Sequence, residues 1–214
     1  MRSAASVFRR RGYHGASVEE IAGALNMTKG NLYYYFKNKE EILFMCHDYA
    51  LDVIQEHLAN IDKNKQPVEQ KVHAVIRGFV HLFTDVLHGT AWTLELEALS
   101  PVLFKKIVAK RDRVDRGFRR LLREGMDSGV FAPGDPKLLT FAIMGAINWI
   151  PLWFKPTGAA KADDVAKVFA DYLVNGLLAA NVQLGRSEDT PSAPWLIGLP
   201  AAVRPVVRRA PQPK

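Results

Sequence analysis

Between Thr28 and Glu41 the sequence reads TKGNLYYYFKNKEE, three tyrosines and a phenylalanine set between Lys29 and the pair Lys37 and Lys39. Residue types of this kind suit association rather than bond-making. Lysine ammoniums and tyrosine hydroxyls donate to phosphate oxygens, flat rings fill a seam against a polyanion, and small polar residues opening a helix approach base edges. Other reactive residues are arranged less suggestively. His73, His81 and His88 recur at seven- to eight-residue spacing without an accompanying cysteine or carboxylate pattern, so no metal site is predicted. Glu95 and Glu97 flank Leu96 and cannot share one helix face, which argues against paired acid catalysis. Neither a nucleophile-elbow motif nor a metal-ligand motif is recognisable, and no cofactor is expected. The single cysteine, Cys46, allows no internal disulfide, fits a reducing cytoplasm, and reads as a buried inert thiol.

Helices must position these side chains, because turn signals cut the chain into helix-sized pieces and strand signals are few. The expectation is an all-α fold of about nine helices. Gly12 and Gly15 end the first. Ser17 and Glu20 form a capping box that starts a second, through Leu25. Asn26-Met27 makes a tight connection, and Thr28 caps a third helix running to about Phe36. Asn38-Lys39-Glu40-Glu41 opens a fourth, to about Asn60. Pro67, Gly89 and Pro101 punctuate the middle of the chain, and Gly129 closes a long helix. Asp135-Pro136 opens the next, Lys155-Pro156-Thr157-Gly158 ends it, and a last helix spans 162–181. No apolar run reaches the roughly 18 residues of a membrane span, and no signal-peptide pattern follows Met1.

A short helix, a tight turn and a second short helix make the helix-turn-helix plan, whose second helix enters the DNA major groove. Leu32 and Phe36, four residues apart, face inward with Val18, Ile21 and Leu25. Thr28, Lys29, Gly30 and Asn31 are then offered to base edges, and the tyrosine hydroxyls to phosphates. Lys37 and Lys39 follow as phosphate clamps, beside a helix N-terminus that is itself an anion site. Spacing alone leaves open an ordinary helical core with surface lysines.

The block Val7–Leu43, with FRRRGY, ASVEEIAGAL and TKGNLYYYFKNKEEI, resembles the DNA-binding domain of TetR-family transcriptional regulators almost continuously. The resemblance implies a homodimer on a palindromic double-stranded DNA operator and a helical ligand-binding domain behind the DNA-binding one. It places Lys29, Gly30, Asn31 and Tyr33 at base-reading positions, and Tyr33, Tyr34, Tyr35 and Lys39 at phosphate-contacting ones. A histidine is usual where Tyr35 stands, which changes the chemistry of that contact. Family members also carry residues ahead of the first helix, often basic, whereas this sequence begins inside it.

Residues 1–48 are expected to form the DNA-binding domain, 49–184 a ligand-binding and dimerisation domain, and 185–214 a Pro/Ala/Arg-rich tail without regular structure. GAINWIPLWFKPTG and DDVAKVFADYLVNGL resemble the C-terminal half of regulators in the same family that respond to fatty acyl-CoA or similar thioesters. That likeness makes a small apolar effector, such as an acyl-CoA, the expected ligand. The stretch Leu138–Phe154 is apolar nearly all round, so it must bury one side in its own domain and another on a partner. With the last helix it is the expected dimer seam, kinked near Ile147 by Pro151.

The net charge of +7 is concentrated in residues 101–125, which hold nine Lys/Arg against three Asp/Glu. On a helical wheel Lys105, Lys106, Lys110, Arg113, Arg116, Arg119, Arg120 and Arg123 share one broad face, opposite Ile107, Val114, Phe118 and Leu122. Arg111 falls on the apolar face, where an unpaired guanidinium is costly. Asp115, one turn on, is its expected partner, and the alternative is that Arg111 meets an anionic effector group. The outer basic face is either solvated or meets the phosphates of a CoA head group. Phe79, Phe83, Trp92, Phe104, Trp149 and Trp153 are pocket candidates, each equally readable as core. The leading reading is a ligand-released repressor. A multidrug-type sensor with a loose aromatic pocket is the second, and an acyl-thioester enzyme is the reading from another class.

Overall fold

The computed structural model describes residues 1–63, 65–86 and 95–179, and within them eight α-helices follow one another. They are α1 (Arg2–Gly15), α2 (Val18–Ala24), α3 (Lys29–Tyr35), α4 (Lys39–Asp62), α5 (Val68–His81), α6 (Pro101–Asp127), α7 (Pro136–Trp153) and α8 (Ala162–Asn175). A π-helical turn, Leu82–Val86, prolongs α5, and a 3-10 turn, Leu96–Ala98, precedes α6. The one β feature among the described residues is an isolated bridge between Phe131 and Leu178. The all-α expectation holds.

Local chemistry explains most boundaries. Ser17 and Glu20 make both bonds of the capping box. Thr28 accepts from the Asn31 amide at 3.2 Å, Asn38 from Glu41 at 2.8 Å, and Asp135 from Lys137 at 2.7 Å. Each satisfies an amide that the helix start would otherwise leave orphaned. The end of α2 is a Schellman turn: Asn26 takes φ 55, its amide reaches Gly23 O, and the Met27 amide reaches Ala22 O.

The first helix ends at Gly15, as expected, with a break at Gly12 where φ is 68 and ψ 169. Three other expectations are corrected. The last helix stops at Asn175, because Leu178 leaves it to pair with Phe131. Pro151 lies in the final turn of a helix that runs on to Trp153, too near the end to divide it. Asp115 is taken by Arg119 at 2.6 Å, so it is not the dedicated partner of Arg111. Gly89, His88 and Trp92 lie outside the described residues.

Helix α4 serves both halves, packing on α1 at one end and along α6 and α5 further on; α5 packs along α8, and α7 on α6. Glycines set two of these distances. A Cβ on Gly78 would fall 1.8 Å from His57 Nε2, and one on Gly117 would fall 2.7 Å from Leu58 Cδ2. Phe79, Phe118, Ile107 and Leu121 fill the centre, essentially without exposure. Burying each such side chain stabilises the fold by about 1.5–3 kcal/mol before chain entropy is counted.

Candidate nucleic-acid interface and effector recess

Leu32 is fully buried against Ile21, with Val18, Leu25 and Phe36 half-buried around them. The opposite face of α3 is therefore turned to solvent. Thr28, Lys29, Gly30 and Asn31 are exposed at its first turn. Tyr33, Tyr34 and Tyr35 are 44%, 85% and 65% exposed, a large unburied aromatic area on a seven-residue helix. Tyr34 and Tyr35 meet edge to face at 5.2 Å. Lys29 is held by Glu19 of α2 at 2.5 Å, which raises its pKa and lowers that of Glu19. This pair braces the two helices and must open if Lys29 is to reach a base.

Lys39 is placed differently from the clamp expected. Its ammonium donates to the carbonyls of Ala16 at 3.0 Å and His14 at 3.4 Å, and stands 4.6 Å over the Tyr13 ring. It closes the C-terminal end of α1, where carbonyls lack helical partners. Lys37 is exposed just ahead of α4.

Two carboxylate contacts join α4 and α1 to the segment that leads into α6, and no local pattern in the sequence marks either for that role. Glu40, in the first turn of α4, accepts the Ser100 amide at 2.7 Å. Ser100 is the N-cap of α6 and makes no side-chain cap, so Glu40 caps that helix through space. The Ser100 bonds hold its carboxylate below the usual range. Glu95 accepts the Tyr13 amide at 3.2 Å and lies where a Cβ on Gly12 would sit, 2.8 Å from it.

Between α6 and α7 lies a recess of about 300 Å³. Arg111, Asp115 and Arg119 line one side; Thr140, Met144 and Asn148 line the other, with Phe141 at the edge. Thr140 is 1% exposed, and its hydroxyl has no hydrogen-bond partner. The Asn148 side-chain oxygen and the Arg119 Nε are likewise buried without one. Such orphans each cost about 1–3 kcal/mol unless something in the cavity meets them. Burial pushes the Arg111 pKa down to about 10, against the opposing pull of Glu97. The sequence does carry a signal for Thr140 and Asn148: they are polar interruptions, two turns apart, of an apolar stretch.

The other effector candidates separate. Phe79 is core, packed between His57 and Phe118. Phe83 is buried and lines a smaller cavity of about 210 Å³ with Thr84 and Pro151. Phe104 is 40% exposed on α6. Trp149 and Trp153 are 63% and 41% exposed, as are, to similar or greater extents, Leu138, Phe141 and Leu152 on α7 and Val168 and Tyr172 on α8. Among the described residues of the expected set, Arg111 alone lines the recess. His73 and His81 meet Asp171 and Asp163 of α8. Cys46 is buried and its thiol is pushed up to about 12.

Comparison with known proteins bears directly on this arrangement. Residues 1–46 match the family model for bacterial regulatory proteins of the tetR family, and residues 65–177 match that for the tetracyclin repressor-like C-terminal domain. The transcriptional repressor KstR2 of Mycolicibacterium smegmatis is 23% identical over 177 residues, 81% of this chain and 86% of its own. The crystal structure of PfmR, a TetR family transcriptional regulator from Thermus thermophilus, superposes with a TM-score of 0.74 at 30% identity, over 82% of this chain and 97% of that one. AibR, solved with isovaleryl coenzyme A and operator DNA, superposes with a TM-score of 0.69 at 29% identity, over 83% and 95%. With one model on the α1–α4 start and the other on the helices that enclose the recess, the chain belongs to the tetR family, whose members are DNA-binding transcriptional regulators and not enzymes.

Proposed function

We propose that this protein is a cytoplasmic repressor that binds a palindromic operator as a two-fold dimer and is released when an acyl thioester enters the recess between α6 and α7. The observation that carries the effector class is the buried Thr140 hydroxyl, unpartnered beside Asn148 and Arg119 in a recess edged by Phe141 and Met144. A purely apolar ligand would leave these groups unmet. A thioester with its neighbouring amides offers carbonyls to Thr140 and Arg119 and an N–H to Asn148, while its acyl chain lies on the apolar wall. AibR, bound to isovaleryl coenzyme A, supports the same class.

On the DNA side, Asn31 with Lys29 and Gly30 reads bases from a helix start that Thr28 holds, and Tyr33, Tyr34 and Tyr35 with Lys37 meet phosphates. Lys39 positions α1 against α4. The domain division at about residue 48 falls within α4, so that helix carries motion from one half to the other. An effector wedged between α6 and α7 shifts α6. Glu40 on Ser100, and Glu95 on Tyr13, hand the shift to α4 and α1 and change the spacing of the two recognition helices.

The test uses Thr140→Val, which keeps shape and removes the hydroxyl. The variant is expected to melt at or above the wild-type temperature, since an orphan is gone. It should hold the operator normally and need about tenfold more acyl-CoA for release. Release at the wild-type concentration would defeat this effector reading. Mass spectrometry of the purified protein should find an acyl thioester; a drug-like aromatic instead would favour the multidrug sensor.

A further inference from the structure

Apart from Arg119, which lines the effector recess, the cationic stripe of α6 takes no part in the ligand and DNA contacts assigned so far. Several of its charges are occupied: Lys110 bonds Asp48 and Asp52 of α4, Arg120 bonds Asp62, and Arg119 bonds Asp115. Arg113 and Arg116 are exposed and have no carboxylate partner among the described residues. They stand three positions apart on one face, where like charges repel. Beside them a groove of about 500 Å³ runs between α4 and α6. Gln55, Leu58 and Ala59 form one wall; Arg113, Arg116, Gly117 and Arg120 form the other. The lack of a side chain at Gly117 lets α6 lie directly on Leu58, which gives the groove an apolar floor. Gln55 donates its amide N–H to the Lys110 carbonyl at 3.3 Å, so its side-chain oxygen is left as an acceptor.

Two guanidiniums at the rim, an apolar floor and one acceptor together suit an anion carried on an organic body. Guanidinium forks match phosphoryl oxygens bidentately, whereas an inorganic ion would leave the floor unused. Operator DNA does not reach here. Gln55 lies sixteen residues along α4 from Lys39, about 24 Å at the helical rise of 1.5 Å per residue. Nor is this the effector recess, which is lined from the other flank of α6 by Arg111, Asp115 and Arg119. We infer that the α4–α6 groove is a separate site for a nucleotide-type phosphate ester, with its phosphoryl group on Arg113 and Arg116 and its base or ribose on Leu58 and Ala59.

The same chemistry has two sources, a free adenine nucleotide and the adenosine phosphate end of coenzyme A. Calorimetric titration of the full chain with ADP, with coenzyme A as the free thiol, and with pyrophosphate distinguishes them. ADP is expected to bind one site per chain about tenfold more tightly than pyrophosphate, weakening as salt rises. Coenzyme A binding more tightly than ADP would identify the coenzyme as the source, and equal binding the free nucleotide. The double variant Arg113→Gln, Arg116→Gln should lose about 10- to 100-fold in affinity. Arg123→Gln, on the same helix but off the groove, should lose nothing. Three results would overturn the site: no binding of ADP or coenzyme A, pyrophosphate binding as tightly as ADP, or Arg123→Gln weakening binding as much as the double variant. Because heat is read directly without operator, failure here leaves the effector reading standing. Thr140→Val, which tests that reading, should bind ADP as the wild type does.

Discussion

Thr28 and Asn31 divide the work of the first turn of α3. The threonine hydroxyl is committed to the Asn31 amide, so it holds the helix start, while the asparagine side chain remains exposed for base contact. The two positions should therefore fail differently. Asn31→Ala is expected to relax base preference at one position per half-site by about 1–3 kcal/mol, leaving affinity for random DNA unchanged. Binding-site selection on the variant checks this, and recovery of the wild-type motif would remove Asn31 from base reading. Lys39 makes the opposite case. Its ammonium is spent on Ala16 and His14 carbonyls, so Lys39→Gln should lower the melting temperature while the salt dependence of operator binding keeps its slope. A slope smaller by about one would return Lys39 to the phosphates.

Among the elements, the start of α6 is the most dependent on another part of the chain. Its N-cap residue does not cap, and the Glu40 carboxylate does so from α4. Glu40→Ala should cost about 1 kcal/mol, the usual loss of a cap. Adding Ser100→Asp supplies a local cap and should restore the melting point. It should not restore the tie between the halves, so the change in operator affinity on adding effector stays reduced; full recovery of both would show that Glu40 only caps. The same contact shows what a sequence can disclose. Caps at Ser17, Thr28, Asn38 and Asp135 are readable because donor and acceptor lie two or three residues apart. Glu40 with Ser100, Lys39 with Ala16, and Glu95 with Tyr13 join residues 60, 23 and 82 apart, and no local pattern marks them. The wheel puts Arg111 on the apolar side, and it does line the recess, but wheel geometry cannot decide between Arg111 and Arg119 as the partner of Asp115. Thr140 and Asn148 are visible as polar breaks in an apolar stretch; that they share one recess follows only from the packing of α7 on α6.

At the scale of the whole molecule, the outer surface of α7 and α8 determines whether one chain suffices. Leu138, Phe141, Trp149, Leu152 and Trp153 on α7, with Val168 and Tyr172 on α8, leave a large apolar area uncovered. So much exposed apolar side chain is rare on a monomer, and a second copy related by a two-fold axis would cover it. One recognition helix reads one half-site, so pairing is also what makes a palindromic operator bind tightly. Helical position alone does not say which α7 residues to perturb. Ile143 and Ile147 look suitable in the sequence, yet they are 2% and 0% exposed in the protomer's own core, and a charge there would unfold the chain. Leu152 is 60% exposed and Trp149 63% exposed on the outer face. Leu152→Glu and Trp149→Glu should each leave helix content and melting cooperativity intact, shift the sedimenting species from dimer to monomer, and abolish the paired half-site footprint while weak binding to single half-sites persists. A stable monomer that protects both half-sites with wild-type affinity would show that this face is not the dimer seam.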